Sequence, residues 1–576
     1  DSFVEFEERG VTQDDLDKVK AKIESGAIFG LQSVSGKVSQ LAASETFTGN
    51  PNSAKDEIAR YNKVTKADVM RVFNQYIKGK SAVIMSVVPE GQTQLIAAPD
   101  NFTPKTHDFG GPSTTSADDL VARRAVDTFD RSVHPEAGAN PAVDVPTLWQ
   151  TKTENGIKIL GTQSTETPTT AIFIKVPGGL YSEQASKVGL SSITASLMSE
   201  STQNYTTEQM SNALEKLGSQ VNIYSDKTHT NVYVSSLTKN VDATLKLVEE
   251  KLFKPAFNAD DFERNKKQII QNIQHSMKDA GYLASNTYSK LLYGNNIAAL
   301  PSTGTLNSIE AITLADVKAF YSANFKPQGA QVIIVSDLKE STIEPKVKAT
   351  LTNWKGKPSS VAVDFSEPKV ETNVIYLVDK PDAPQSEIRI GKRDMVEDIT
   401  GEFFKANLMN FALGGTFNSR INLNLREDKG YTYGARSRFW GDKTSGGFTA
   451  SAAVRADSTA ASITEFTNEL NNYAQNGVTD EELMFMRKAI NQKDALKYET
   501  PNAKLGFLAQ ILEFDLKPSF VKERNEIVSN ISKEEVNALA KKHLNTKDMI
   551  YLVVGDAKTL RPELEKLGMK VVDYSL

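Results

Sequence analysis

The heptapeptide GVTQDDL at residues 10–16 returns as GVTDEEL at 477–483, and the two passages stay in register at a constant offset of 467 positions. On that offset VTKADV at 64–69 falls on ISKEEV at 531–536, and AVIMSVV at 82–88 falls on MIYLVVG at 549–555. Each hexapeptide reads as a helix start, with a Ser or Thr cap and acid in the first turn. Each apolar run is of strand type. A third copy lies between them: ITLADV at 312–317, then AFYSANF, then AQVIIVSD at 330–337. Three endings of one pattern imply a repeated domain. They lie near 92, 355 and 576, which leaves roughly 205 residues for each of the last two units. Only about ninety residues precede the first ending, so residues 1–92 are expected to be the rear half of a unit whose front half is absent.

Between the first ending and the second unit, residues 93–146 are rich in Pro, Gly, Ser, Thr and Asp, as in FGGPSTTSADD and HPEAGANPAVDVP. Such a stretch cannot bury enough apolar surface for a core and reads as an extended linker between bodies that hinge. The other reading is an ordered strap anchored by Phe109, Leu120, Phe129 and Trp149. Two full units follow, 147–367 and 368–576. In the first, TAIFIKVPGG (170–179) and NVYVSSL (231–237) read as strands, with the helix GLSSITASLMSE (189–200) between them. The second opens in the same way with NVIYLVD, SEIRIGKR and the helix EFFKANLMNFALGG. Strands and amphipathic helices in this order predict an α+β fold in which helices pack on a sheet.

Charge excludes one class of function. The chain carries 67 basic and 72 acidic side chains, dispersed rather than gathered in runs, so the basic stripe of a nucleic-acid binder is missing. Its apolar runs are strand-length and too short to span a bilayer. With no cysteine at all, disulfides and cysteine metal sites are ruled out, and the composition suits an exported, periplasmic setting.

Three passages carry a likeness: LEKLGSQVNIYSDKTHTNVYVSSL at 214–237, LFKPAFNADDFERNKKQII at 252–270, and LGGTFNSRINLNLREDKGYTYG at 413–434. In these the chain resembles the insulinase/pitrilysin family of zinc metallopeptidases, and the likeness covers nearly its whole length. The resemblance implies four homologous α+β domains, each a mainly antiparallel sheet with helices packed on it, paired into two halves of a clamshell. Residues 1–92 would then be the rear of the second domain, 147–367 an inactive third domain, and 368–576 a substrate-binding fourth domain.

The family's catalytic helix carries H-x-x-E-H, whose two imidazoles share one helical face and hold zinc while the glutamate activates water. In the corresponding helix Ser192, Ala195 and Ser196 occupy those positions, and Asn272 stands at the third ligand, a glutamate in the family. All four positions are chemically empty. The only histidines are His107, His134, His229, His275 and His543, no two of them four apart; each reads as a surface or strand residue. Leu190, Ile193, Leu197 and Met198 follow helical spacing as core. Zinc is therefore expected only in the absent catalytic domain, with none bound by this chain, which is predicted inactive alone.

What the resemblance retains is Arg426 and Tyr433, seven apart, matching the arginine and tyrosine that reach across to the active site. Guanidinium and phenol can donate to a peptide carbonyl and to a developing oxyanion. The plainer reading pairs Arg426 with Glu427 or Asp428 and packs Tyr433 in a strand. Gly414 and Gly415 read as a helix C-cap without phosphate-loop spacing. Asn418 and Arg420 would line the same cleft or cap the next helix, and KTSGG at 443–447 reads as a hairpin turn. Two functions follow: the substrate-binding half of a zinc endopeptidase acting on peptides or unfolded polypeptides, partnered by a catalytic half bearing H-x-x-E-H, or a catalytically silent scaffold or binding subunit.

Overall fold

The apolar runs of the two long repeats become strands and take equivalent places in each. A computed structural model describes residues 2–99, 144–359 and 368–575, with 101, 103, 130, 133, 363, 365 and 366 besides. The linker anchors Phe109, Leu120 and Phe129 lie outside the described residues. The chain divides into two compact units, residues 1–12 with 64–139, and residues 13–63 with 140–576.

The larger unit holds two six-stranded sheets. The first comprises β1 (Leu148–Lys152), β2 (Lys158–Gln163), β3 (Thr169–Pro177), β4 (Gln220–Ser225), β5 (His229–Leu237) and β6 (Gln331–Ser336), in the order β1-β2-β6-β3-β5-β4. The second comprises β7 (Val374–Asp379), β8 (Gln385–Asp394), β9 (Ala435–Gly441), β10 (Gly446–Arg455), β11 (Ile550–Gly555) and β12 (Lys570–Asp573), in the order β12-β7-β11-β8-β10-β9. Both are mainly antiparallel. The exceptions are β2 with β6 in one sheet, and β7 with both β11 and β12 in the other. Anchor Trp149 sits on β1, its indole lying over Gly161, where a Cβ would come within 2.1 Å of the ring.

Each sheet is covered on both faces, which is why its central strand is apolar without alternation. On β6, Val332 and Ile334 face the helices of their own repeat, whereas Ile333 and Val335 face the other way. That second face is covered by the Pro501–Phe514 helix of the following repeat, through Leu505, Leu508, Ile511 and Leu512. Reciprocally, the Ala280–Tyr293 helix packs on β8 and β11 of the second sheet. The two repeats therefore exchange a helix. Burying one leucine in this way contributes about 1.5–3 kcal/mol, so the exchange binds the repeats firmly.

Helix starts follow the sequence closely. Thr313 with Asp316, Thr479 with Glu482 and Ser532 with Glu535 form reciprocal capping boxes, each cap contributing roughly 1 kcal/mol. In the smaller unit Thr65 and Asp68 do the same, and the Phe6 and Phe73 rings meet tilted at 60°, with centroids 4.8 Å apart.

One expectation is corrected. The run 82–88 forms no strand, and Val83, Ile84, Met85 and Val87 are 100, 86, 82 and 82% exposed. The strands it echoes, β6 and β11, are each flanked by two paired neighbours. No strand of the described residues flanks 82–88, and a strand without a ladder leaves its backbone to water.

Candidate functional site

The helix Leu190–Met198 starts abruptly. Gly189 adopts a positive φ of 98°, and a Cβ there would meet Ile309 Cδ1 at 2.6 Å. The buried Glu183 carboxylate caps this end, accepting from the Gly189 and Ser191 amides at 2.7 Å each. Burial outweighs those bonds and pushes its pKa up to about 7.

The face that resemblance assigns to a metal is filled with neutral and mutually satisfied groups. Ala195 is buried and Ser192 half-buried. Ser196 donates to Asn265 Oδ1 at 2.6 Å, and Asn265 Nδ2 donates to Glu200 Oε1 and to the Asp261 carbonyl at 3.0 Å each. Arg264 bridges Glu200 and Asp261 at 2.7 Å to each, so the nearest carboxylates are already neutralised. Asn272 lies two turns beyond Asn265, exposed, its Oδ1 accepting from Gln268. Among the described residues no group of three His, Cys, Asp or Glu could hold a metal ion.

Among the histidines, His107 and His134 lie outside the described residues, His229 stands on β5, and His275 is exposed. His543 departs from the surface-or-strand expectation. It is buried in the last turn of its helix, with Nδ1 3.0 Å from Asp394 and Nε2 2.8 Å from Glu402. A helix C-terminus and two carboxylates suit an imidazole there.

In the second repeat the corresponding helix Glu402–Asn410 runs into a π-turn, Phe411–Gly415, and beside it opens a cavity of about 470 Å³. Arg426 and Tyr433 both line it, with Asn407, Phe411 and Gly434. The Arg426 guanidinium lies 4.5 Å over the Phe417 ring and 3.4 Å from Glu427, so the plainer pairing is present. Tyr433 does not pack in a strand. It precedes β9 and is 92% exposed, a phenol turned to whatever enters.

Arg420 is committed elsewhere. It forms two 2.6 Å bonds with Glu482, donates to the Gly477 carbonyl and stacks on Tyr473. It does not line the cleft, and the helix end it meets is that of Thr459–Asn476 rather than the next helix, whose cap is Ser419; Asn418 is exposed and not part of the cavity wall. Gly414 and Gly415 have ordinary negative φ and so form no left-handed cap. Gly414 instead lets the π-turn touch β9, since a Cβ there would meet Ser437 Oγ at 2.1 Å and its backbone N at 2.5 Å. KTSGG does turn the β9–β10 hairpin, with Asp442 accepting from the Thr444 and Ser445 amides.

Two asparagines that the sequence reading passed over build the cavity wall. Asn410 Nδ2 donates to the Ser437 carbonyl at 2.8 Å, and Asn422 Oδ1 accepts from the Ala435 amide at 3.0 Å. They occupy backbone groups of β9, the edge strand of its sheet. Their signal was a buried polar residue at apolar helical spacing.

Two family models match the chain: insulinase (peptidase family M16) over residues 158–299, and peptidase M16 inactive domain over 311–490. A non-peptidase homolog, YmxG of Helicobacter pylori, is 23% identical over 66% of this chain and 87% of its own. An uncharacterized zinc protease, YmxG of Bacillus subtilis, is 21% identical over 61% and 85%. Among solved structures, a peptidase M16 inactive domain from Pseudomonas fluorescens superposes with a TM-score of 0.65 at 24% identity, covering 71% of this chain and 98% of that one. A protease from Helicobacter pylori gives a TM-score of 0.65 at 15% identity over 72% and 100%.

Proposed function

Since this chain belongs to the insulinase, or peptidase M16, family and matches its inactive domain, we propose that it is the substrate-binding, non-catalytic half of a zinc metalloendopeptidase acting on peptides or unfolded polypeptides. The observation that carries this reading is the contrast between two equivalent helices. Beside one, the zinc positions hold Ser192, Ala195 and Ser196; beside the other, an open cavity keeps Arg426 and Tyr433. Zinc hydroxide would come from a partner bearing H-x-x-E-H. Among the described residues no group of three His, Cys, Asp or Glu could hold that zinc.

The role left to this chain is to hold the peptide and donate hydrogen bonds. Arg426 and Tyr433 would meet the scissile carbonyl and the oxyanion that follows water attack, where a fixed donor is worth about 3 kcal/mol of barrier. For Arg426 this means leaving Glu427, an exposed pairing worth about 0–1 kcal/mol and therefore easily exchanged. The setting would be periplasmic or otherwise exported; no described helix is long and apolar enough to cross a membrane.

Turnover of an unfolded polypeptide by this chain mixed with a catalytic M16 partner tests the reading. Arg426→Ala should lower kcat about a hundredfold with KM little changed. Unchanged turnover would remove the proposed role. The pairing of Arg426 with Glu427 favours a second reading, a catalytically silent scaffold or binding subunit. Complex formation without any turnover by the wild-type mixture would select it.

A further inference from the structure

The second sheet holds another cavity, of about 290 Å³, between its outer face and the Ala280–Tyr293 helix. Its floor is two cross-strand rows. Arg389, Ser451 and Arg436 stand side by side on β8, β10 and β9, and Gly391, Thr449 and Arg438 form the next row. The helix contributes the hydroxyls of Ser285, Tyr288 and Ser289, and Lys227 enters from the β4–β5 loop. Gly391 lets the helix approach the sheet, since a Cβ there would meet the Phe448 carbonyl oxygen at 2.0 Å and the Tyr288 hydroxyl at 2.5 Å.

Four cations line this wall and no carboxylate does. Arg389 is compensated by Glu387 at 2.6 Å. Among the described residues Arg436, Arg438 and Lys227 enter no ion pair; the Lys227 ammonium instead lies 5.8 Å over the Tyr293 ring. Burial pushes the Lys227 pKa down, with Asp442 pulling the other way. Arg436 and Arg438 stand two apart on one face of β9, where like charges repel, and guanidinium cannot shed its proton to relieve this. Arg436 and Arg438 are exposed to solvent at this wall, and a concave site of donors without ion-pair partners focuses a positive field that attracts an anion. The guanidinium fork matches carboxylate and phosphate oxygens in particular.

We propose that this cavity is an oxyanion site, taking a phosphate or carboxylate group on Arg436, Arg438 and Lys227 with the hydroxyls of Ser289 and Ser451. Two sources share that chemistry. One is free phosphate or pyrophosphate. The other is an acidic side chain or C-terminus of a peptide, because Arg436 and Arg438 also line the cavity that holds Arg426 and Tyr433. The peptide source rests on the function proposed above, whereas the phosphate source does not.

Calorimetric titration of the whole chain at low ionic strength tests it, with inorganic phosphate, pyrophosphate, and one acidic peptide carrying either a free or an amidated C-terminus. Saturable binding is expected, weakened at least about tenfold by the double variant Arg436→Gln, Arg438→Gln, since charge-assisted bidentate bonds are lost. Binding of phosphate alone assigns the free anion. Binding of peptide assigns the peptide source, and loss on amidation places its terminal carboxylate here. The anion should raise the melting temperature of the wild type but not of the double variant. Without anion the double variant should melt no lower than the wild type, because repulsion has been removed; a purely structural role predicts the reverse. Should that variant not fold, Lys227→Met takes its place with the same loss of binding expected. No saturable binding of any probe, equal binding by the variant, or a lower melting temperature of the anion-free variant overturns the proposal.

Discussion

The helix Leu190–Met198 and the helix Glu402–Asn410 leave equivalent strands of equivalent sheets, yet their surroundings have gone in opposite directions. The first is shut: its half-buried face is bonded through Ser196 to Asn265, and its start is sealed by Glu183. The second ends in a π-turn, reaches β9 through Asn410 and Gly414, and leaves a cavity of about 470 Å³ walled by Arg426 and Tyr433. One topology thus supports a closed polar plug and an open pocket. A handful of side chains makes the difference, while the strand order that both share is held by buried apolar rows. Function in this fold is decided locally, on a frame that tolerates either outcome.

The frame itself is where the largest effect is expected. Leu508 is fully buried under the first sheet, whereas Leu41, its counterpart at the 467 offset, is 48% exposed on the Val34–Thr48 helix. Leu508→Ala should cost about 3 kcal/mol in denaturant unfolding. Leu41→Ala should cost about 0.5 kcal/mol or less. Equal costs would mean that the helix exchange is not what joins the repeats.

The seal on the closed helix should betray itself through pH. Glu183 holds its proton more tightly in the folded protein than the ordinary carboxyl value of 4.5 allows, with a pKa of about 7. The folded state therefore binds more protons than the unfolded one between those values. Its contribution to stability is full below about 4.5 and fades as pH rises through about 7. The difference in unfolding free energy between wild type and Glu183→Gln should accordingly shift by on the order of 2–3 kcal/mol from pH 5 to pH 7.5. A difference that does not move with pH would place the carboxylate in an ordinary, solvated role.

On the open side, Gly414→Ala forces the π-turn away from Ser437 and should cost about 2 kcal/mol while also lowering peptide affinity. Unfolding and binding measured on the same variant check this; a loss of neither would mean that the close approach is dispensable. Arg426→Ala should leave stability within about 0.5 kcal/mol, since its ion pair is partly exposed. A larger loss would make it a structural residue rather than a donor to a ligand.

Much of this was legible in the residues. The repeat, the capping boxes and the continuous apolar strands all follow from local chemistry, and each took its expected place because caps and periodicity act within a few residues. That Ser192, Ala195 and Ser196 carry no imidazole was equally plain, since this is a matter of residue type alone. Less was legible about Arg420. Its sequence neighbours suggested the cleft, but Glu482, 62 positions on, claimed it. His543 was likewise taken by Asp394 and Glu402 from far along the chain, and the run 82–88 lacked the flanking strands that its composition presupposed.

The chain alone thus specified a tandem of one α+β unit and where its helices begin, because these depend on residue type and short-range spacing. Only the tertiary arrangement decided which polar groups are spent on each other and which face open space. A hydrogen bond between Asn410 and Ser437, or a cavity that Lys227, Arg389, Arg436 and Arg438 line beside a borrowed helix, exists only once segments far apart in sequence are packed together.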